Sequence, residues 1–340
     1  PDTKGPNYPA ITGLVVTGML MDPAIDAEDE SVQRGVKFIL SYVQPDGGIY
    51  DKVLPSYNTS ICLSALAQVQ RSEAAGAIKP AQDFLRSLQW SEDSLDAPTE
   101  TGKVTKDHPF YGGIGYGKHG RPDNSNLGLM IQGMHDSGLS STDPAYQRAL
   151  VFLSRTQMVD SVNDQEYADG TKQGGFIYAT AENKDTAGRG QSHAATIEET
   201  MDDGTKVSRL RCYGSMTYTG FKSLIYANLD RKDPRVQSAY DWLRANYTMQ
   251  ENPGMGDEGM YYYFLSLARA LDAWGSPQIE TIAADGATGE VRDWANDLVD
   301  RLKGLQNPDG SFRTIDDRWM ENNPVLITAY ALIALQEAAD

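Results

Sequence analysis

The sequence has little of what marks a specialised chemistry. Two cysteines, Cys62 and Cys212, are too few for a disulfide framework, and separate half-buried thiols are expected. Neither has the Cys/His company of a metal site, so no metal or other cofactor is expected. Cations are scarce: 30 Lys and Arg against 47 Asp and Glu leave 30 − 47 = −17, with no basic run. That excludes nucleic acid as a partner, because a phosphate backbone needs clustered positive charge, and it excludes docking on anionic lipid. Long apolar runs are also missing. The stretch Ile11 to Met21 is interrupted by Thr12 and Thr17 and is too short to cross a bilayer. The chain starts at Pro1 without Met, which points to processing and favours export, as to a periplasm, over the cytoplasm. The composition itself is globular, 40% hydrophobic and 23% charged, well away from disorder.

What is present is a repeat. An aromatic or leucine opens a helical stretch that ends in Gln and a glycine turn. It reads Phe38 to Gln44 with Pro45-Asp46-Gly47-Gly48-Ile49, and again Leu302 to Gln306 with Asn307-Pro308-Asp309-Gly310-Ser311-Phe312. Weaker copies are Phe84 to Gln89, Phe152 to Gln157 with Gly174-Gly175-Phe176 after an insertion, and Trp242 to Gln250 with Asn252-Pro253-Gly254. Pro stops each helix and Gly supplies the backbone conformation that leaves it. A more apolar helix follows each turn. The spacing predicts Pro9–Met21, Thr59–Gln70, Asn126–Ser137, Ser215–Leu229, Gly259–Trp274 and Pro324–Glu337. Small residues recur six apart in most of them, as in Thr59-Ser60 with Ala65-Leu66, which lets helix axes approach.

The helices before the turns are amphipathic: Ser31–Val43, Pro80–Trp90, Pro144–Met158, Pro234–Tyr247 and Val291–Leu305. Asp143-Pro144 and Asp233-Pro234 supply a cap and a first turn. Amphipathic helices that alternate with nearly all-apolar ones close into an α/α toroid, the amphipathic set outside. The expected fold is therefore all-α, a single domain over 1–340, with six inner and five or six outer helices. A sixth outer helix would precede Pro1. Two long insertions, 91–122 and 160–211, are expected to carry short β-hairpins or lids. Three of the four histidines, His108, His119 and His193, lie in them.

On the turns Gln44-Pro45-Asp46-Gly47-Gly48 and Gln306 to Phe312, and on the runs Ser64-Ala65-Leu66 and Ile333-Ala334-Leu335, the whole chain resembles the prenyltransferase and squalene-oxidase repeat family. That family includes terpene cyclases of the squalene–hopene type. Where it commonly has Trp after the glycine pair, this chain has Ile49, Phe176 and Phe312. The resemblance implies a central cavity, an apolar or isoprenoid small-molecule ligand, and cyclisation begun by an acid. The family's proton donor sits in an Asp-x-Asp-Asp run just before an inner helix. The full run is absent here. Aligned on Ser266-Leu267, the four residues are Gly256, Asp257, Glu258 and Gly259, and Glu258 takes the donor's place beside Asp257. A donor of that kind must stay protonated in an apolar setting.

In a toroid the inner-helix N-termini converge, and their free N–H groups favour polar ligands. Tyr8, Tyr57, Asn58, Asp123, Asn124, Asn126, Tyr213, Tyr261, Trp319 and Asn322 fall at those ends and are the candidate ligand-binding residues. Asn and Asp there also serve as plain helix caps. The block Tyr261-Tyr262-Tyr263-Phe264 cannot all face inward, since consecutive helix residues point about 100° apart. An aromatic lining suits a carbocation, and it equally suits a sugar ring. Three functions stay open: isoprenoid cyclisation, a non-catalytic toroid that binds an apolar ligand, a glycan or a protein, and a carbohydrate-active lyase or hydrolase. The last would use paired acids such as Asp257 or Glu258 with Asp123, or a Tyr/His pair from the lids, on a neutral glycan.

Overall fold

The computed structural model describes residues 5–69, 72–94, 97–99 and 101–339. Gln70, the expected end of one inner helix, lies outside them, as do Pro1 and three positions of the first insertion. The chain forms two compact units, 1–149 and 150–340. Helix α6 (Pro144–Thr156) crosses the division.

In the first unit α1 (Pro9–Leu20), α3 (Pro55–Gln68) and α5 (Asn124–Asp136) pack side by side. Helix α2 (Glu30–Leu40) lies against α1, and α4 (Ser72–Leu88) against α3. Burial separates the two sets as expected. Helix α3 buries ten side chains, including every one from Asn58 to Leu66, whereas α2 buries only Val32, Gly35, Val36 and Ile39 along one stripe. The second unit repeats the arrangement with α7 (Gly214–Tyr226), α9 (Met260–Trp274) and α11 (Pro324–Glu337) in a row. Helices α8 (Pro234–Ala245) and α10 (Trp294–Lys303) cover them. Helix α10 buries Trp294, Leu298 and Leu302, a four-residue rhythm that touches the core with one face.

Three expectations change in detail. Helix α4 begins at Ser72, so Pro80 lies inside it and not in its first turn. The hairpin of the second insertion is present, β1 (Thr196–Thr200) pairing antiparallel with β2 (Lys206–Leu210). No strand is found among the described residues of 91–122. An unexpected hairpin, β3 (Gln278–Ile282) with β4 (Thr288–Asp293), precedes α10 and takes Val291 out of the helix where the periodicity had put it.

The glycine turns hold the repeat together. Backbone N–H···O=C bonds close them alike: Gln44 to Gly48 at 2.8 Å, Trp90 to Gly113 at 2.9 Å, Met158 to Gly175 at 2.9 Å and Asn307 to Ser311 at 2.7 Å. The turn belonging to Gln89 is thus Gly112-Gly113, inside the first insertion. Gly112, at φ 83°, has no room for a side chain, because a Cβ there would lie 1.8 Å from the Arg148 carbonyl oxygen on α6. The repeated Gln ties turn to helix: Gln89 Nε2 donates to Gly112 O and Ala145 O, and Gln157 Nε2 donates to Gly174 O and Arg235 O. Ile49, Phe176 and Phe312, which stand where the resemblance expects Trp, are buried and bridge back to Val43, Gln157 and Gln306. By that register Val43, not Gln44, occupies the repeat's Gln position. The inner helices lock on from the other side. Thr59 Oγ1 accepts from Ile49 N–H at 2.9 Å, and Thr217 Oγ1 accepts from Phe176 N–H at 3.1 Å. Thr328 keeps the position on α11, but its buried hydroxyl has no hydrogen-bond partner among the described residues.

Candidate functional site

Each inner helix starts with N–H groups that have no partner within the helix, and those of α1, α7 and α9 are met by residues far along the chain. Asn58 on α3 accepts from Ala10 N–H of α1 at 3.1 Å, while its amide donates to Val53 O and Leu54 O. Asp123 caps its own helix, taking Asn126 N–H at 2.9 Å and the Asn126 amide at 3.1 and 3.0 Å. Ser56 Oγ, on α3, bonds Asn126 Oδ1 at 3.2 Å. Asn58, Asp123, Asn124 and Asn126 are all buried, and the bonds of the first, second and fourth show structural work. Tyr8 and Tyr57 are half-buried at the same helix ends. In the first unit the predicted polar residues are therefore largely caps.

The second unit divides the labour differently. Asn252, fully buried, accepts from Ser215 N–H of α7 at 3.0 Å and donates to Ser215 Oγ and to Glu258 O. Helix α9 starts after Gly259, which has no side chain to cap with. Its N–H groups at Tyr261 and Tyr262 donate instead to the Glu321 carboxylate, at 3.2 and 2.9 Å. Glu321 is 1% exposed. Burial pushes its carboxyl up to about 7, with Asp316 adding to the rise and the N–H groups of Tyr262, Tyr261 and Met260 opposing it. Burial also pushes the Tyr261 phenol up to about 12, and its hydroxyl donates to Arg313 O at 2.5 Å. Tyr261 is thus packed into the core.

With these residues doing the capping, an aromatic group is left at the surface. Trp319 and Met320 form a short 3-10 turn, Arg318–Met320, with both backbones left-handed at φ 55° and 68°. That conformation is costly for bulky side chains, on the order of 1–3 kcal/mol each. It turns both outward, each 44% exposed. The indole lies over Gly259, where a Cβ would come within 2.8 Å of the ring. Arg318 ion-pairs with Glu258 and stacks its guanidinium 4.4 Å from the Trp319 ring centre. His193, from the second insertion, lies 5.7 Å from Trp319, 4.3 Å from Tyr178 and 6.4 Å from Tyr213, centre to centre. Tyr178 and His193 thus lie ring to ring within the second insertion. Asp257 and Asn322 are exposed on the two loops that meet here.

Trp319, Tyr213 and Glu258 come together, then, and Tyr261 stays beneath them. Arg318 and Asn252 were not anticipated. Arg318 carries one faint signal, the cation directly after Asp316-Asp317. Nothing local marks Asn252, whose partner lies 37 residues away.

Among the described residues no helix is long and apolar enough to cross a membrane. Both cysteines are free and fully buried, and burial raises both thiols.

No family model and no curated protein matches the sequence. Among solved structures, a glycoside hydrolase family 76 mannosidase from Bacteroides thetaiotaomicron is 9% identical over 96% of this chain and 86% of its own, with a TM-score of 0.50. The type II terpene cyclase MstE from Scytonema is 15% identical over 96% and 99%, with a TM-score of 0.44. A protein from Actinoplanes is 16% identical over 91% and 98%, with a TM-score of 0.46. At such identities the likeness concerns architecture and not chemistry, and by it this chain has the all-α, α/α-toroid fold with small hairpins.

Proposed function

We propose that the protein binds a neutral saccharide at the Trp319 platform of the second unit. The observation that carries this reading is the exposed indole on a strained two-residue turn, with an arginine–carboxylate pair at its edge. A sugar ring has one apolar face and a rim of hydroxyls. The indole suits the face where the Arg318 guanidinium now lies, and Arg318, displaced to the rim beside Glu258, offers a donor next to an acceptor. The charge of −17 favours a neutral sugar over an acidic one. His193 and Asn322 complete the contact set, while Tyr213 is buried beside His193. Tyr8 and Tyr57, at the half-buried helix ends of the first unit, are the remaining candidates there. If the site is hydrolytic, Glu258 and Asp257 are its acids. Titration calorimetry with mannopentaose, cellopentaose and maltopentaose tests the proposal. At least one should bind, and Trp319→Ala should weaken it by tenfold or more. No binding at millimolar sugar, or binding indifferent to Trp319→Ala, would sink it.

The aromatic share of the cluster favours a second reading, cyclisation of an isoprenoid. Ring faces of Tyr178, Tyr213 and Trp319 suit a carbocation, with Glu258 as the acid. Such an acid works from an apolar setting, and Glu258 sits instead against a guanidinium. Incubation with squalene and with geranylgeraniol should then give a cyclised product that Glu258→Gln abolishes. Recovery of both chains unchanged disposes of this reading.

A further inference from the structure

We infer that Glu321 is a positioning residue: its carboxylate ties the Trp319 turn to the first turn of α9, so that the platform is held as part of that helix. The turn touches α9 and its approach at three points. Arg318 pairs with Glu258, the Trp319 ring lies on Gly259, and the two Glu321 oxygens take Tyr261 and Tyr262 N–H. The first two contacts are at least partly open to water. The third is buried and charge-assisted, so it is the strongest link per bond. The turn's own bonds are few, Glu321 N–H to Arg318 O at 3.3 Å and Asn323 N–H to Met320 O at 2.9 Å. Two left-handed residues need outside support to persist. Helix α9 needs the same carboxylate, because Gly259 cannot cap and its first turn has no acid.

The titratable and charged groups around Glu321 are few. Asp316 lies on its own loop, and its charge raises the Glu321 proton affinity. The Arg318–Glu258 pair bounds the turn. From α9 come the Tyr261 phenol, bonded to Arg313 O, and Tyr262, whose ring lies 6.1 Å from Tyr330 of α11. Opening of the turn exposes the Glu321 carboxyl to water and relieves the burial that raises it, so ionisation at higher pH favours the open turn.

Hydrogen exchange of the intact chain tests this without any ligand. In Glu321→Gln the amide keeps one acceptor and turns a donor toward the other N–H. Peptides covering 260–263 and 317–322 should then both exchange about tenfold faster, while the hairpin at 196–210 is unchanged. In the wild type, exchange in both peptides, corrected for its intrinsic pH dependence, should quicken as pH rises from 6 to 8, because opening lets the buried carboxyl ionise in water. That pH arm carries the test if Glu321→Gln does not fold. Unchanged exchange overturns the inference. So does loosening of 260–263 alone, which would leave Glu321 a plain helix cap. The saccharide arm rests on the proposed function: mannopentaose binding should weaken about tenfold in Glu321→Gln. If exchange responds as stated and no saccharide binds the wild type, positioning stands and the saccharide reading falls.

Discussion

The two units apply one design to different ends. Each is a row of three apolar helices with amphipathic helices behind, joined by glycine turns of the same hydrogen-bond pattern. In 1–149 the polar residues at the inner-helix starts are buried and bonded to backbone or to each other. In 150–340 the buried caps of α7 and α9 are Asn252 and Glu321, brought from loops 37 and 60 residues along the chain, while half-buried Asn323 caps α11 locally. With α9 capped by Glu321, Trp319 and the Arg318–Glu258 pair are left to face outward. Capping and recognition draw on the same residue types. Burial and bonding, not identity, tell them apart.

The comparison breaks most sharply at the turns. Gly112→Ala drives a Cβ into the Arg148 carbonyl at a left-handed position. It should cost more than about 4 kcal/mol and give no cooperative unfolding transition at 37 °C. Gly310→Ala, at the last glycine turn of the second unit, meets nothing within 4 Å, whereas Gly174 in the same unit is crowded by Ser238 O at 2.5 Å. Gly310→Ala should cost only about 1–2 kcal/mol, the left-handed penalty alone. Equal costs in denaturant titrations would show that the neighbouring helix does not set the demand for glycine.

Next come the remote caps. Asn58→Ala and Asn252→Ala each strand buried N–H groups and should each lose about 1–3 kcal/mol of stability, alike in both units. A third pair of variants separates capping from recognition. Trp319→Ala should change stability by less than about 1 kcal/mol, because the ring is exposed, while abolishing most saccharide affinity. Asn126→Ala should do the reverse, lowering the melting temperature with sugar binding intact.

The smallest effect is in pH. The Glu321 carboxyl is raised from 4.5 to about 7 in the folded chain. Folded protein therefore holds this proton more tightly than unfolded protein. The stability it contributes is full below about 4.5 and is lost as pH rises through about 7. Melting temperatures of the wild type relative to Glu321→Gln should fall between pH 5 and pH 8. A difference independent of pH would mean that Glu321 keeps an ordinary carboxyl.

Much of the architecture was legible in the sequence because burial writes a periodicity. Helix α11 lies at the positions expected, and α1, α5, α7 and α9 lie within three residues of theirs. The hairpin Gln278–Asp293 was not legible. Its strands are short and mostly exposed, and Val291 with the apolar residues beyond it mimics a helical stripe. The turn of Gln89 was hidden by 22 intervening residues, although Gly112-Gly113-Ile114 carries the repeat's own signature.

Of the site, the sequence announced which residues stand at helix starts, since Pro, Gly and small polar groups mark them locally. It also announced Glu258 and Trp319 as members of one end. It did not announce that Asn58, Asp123 and Asn126 are bound up in capping, nor that Glu321 serves α9. Whether a carboxylate caps a helix or meets a ligand depends on which N–H groups lie within about 3 Å of it, and those come from distant segments. Composition, spacing and turn chemistry set the helices and their order. Only tertiary packing decided which polar groups were consumed by the fold and which aromatic was left exposed, because burial and hydrogen-bond partners are properties of the assembled chain.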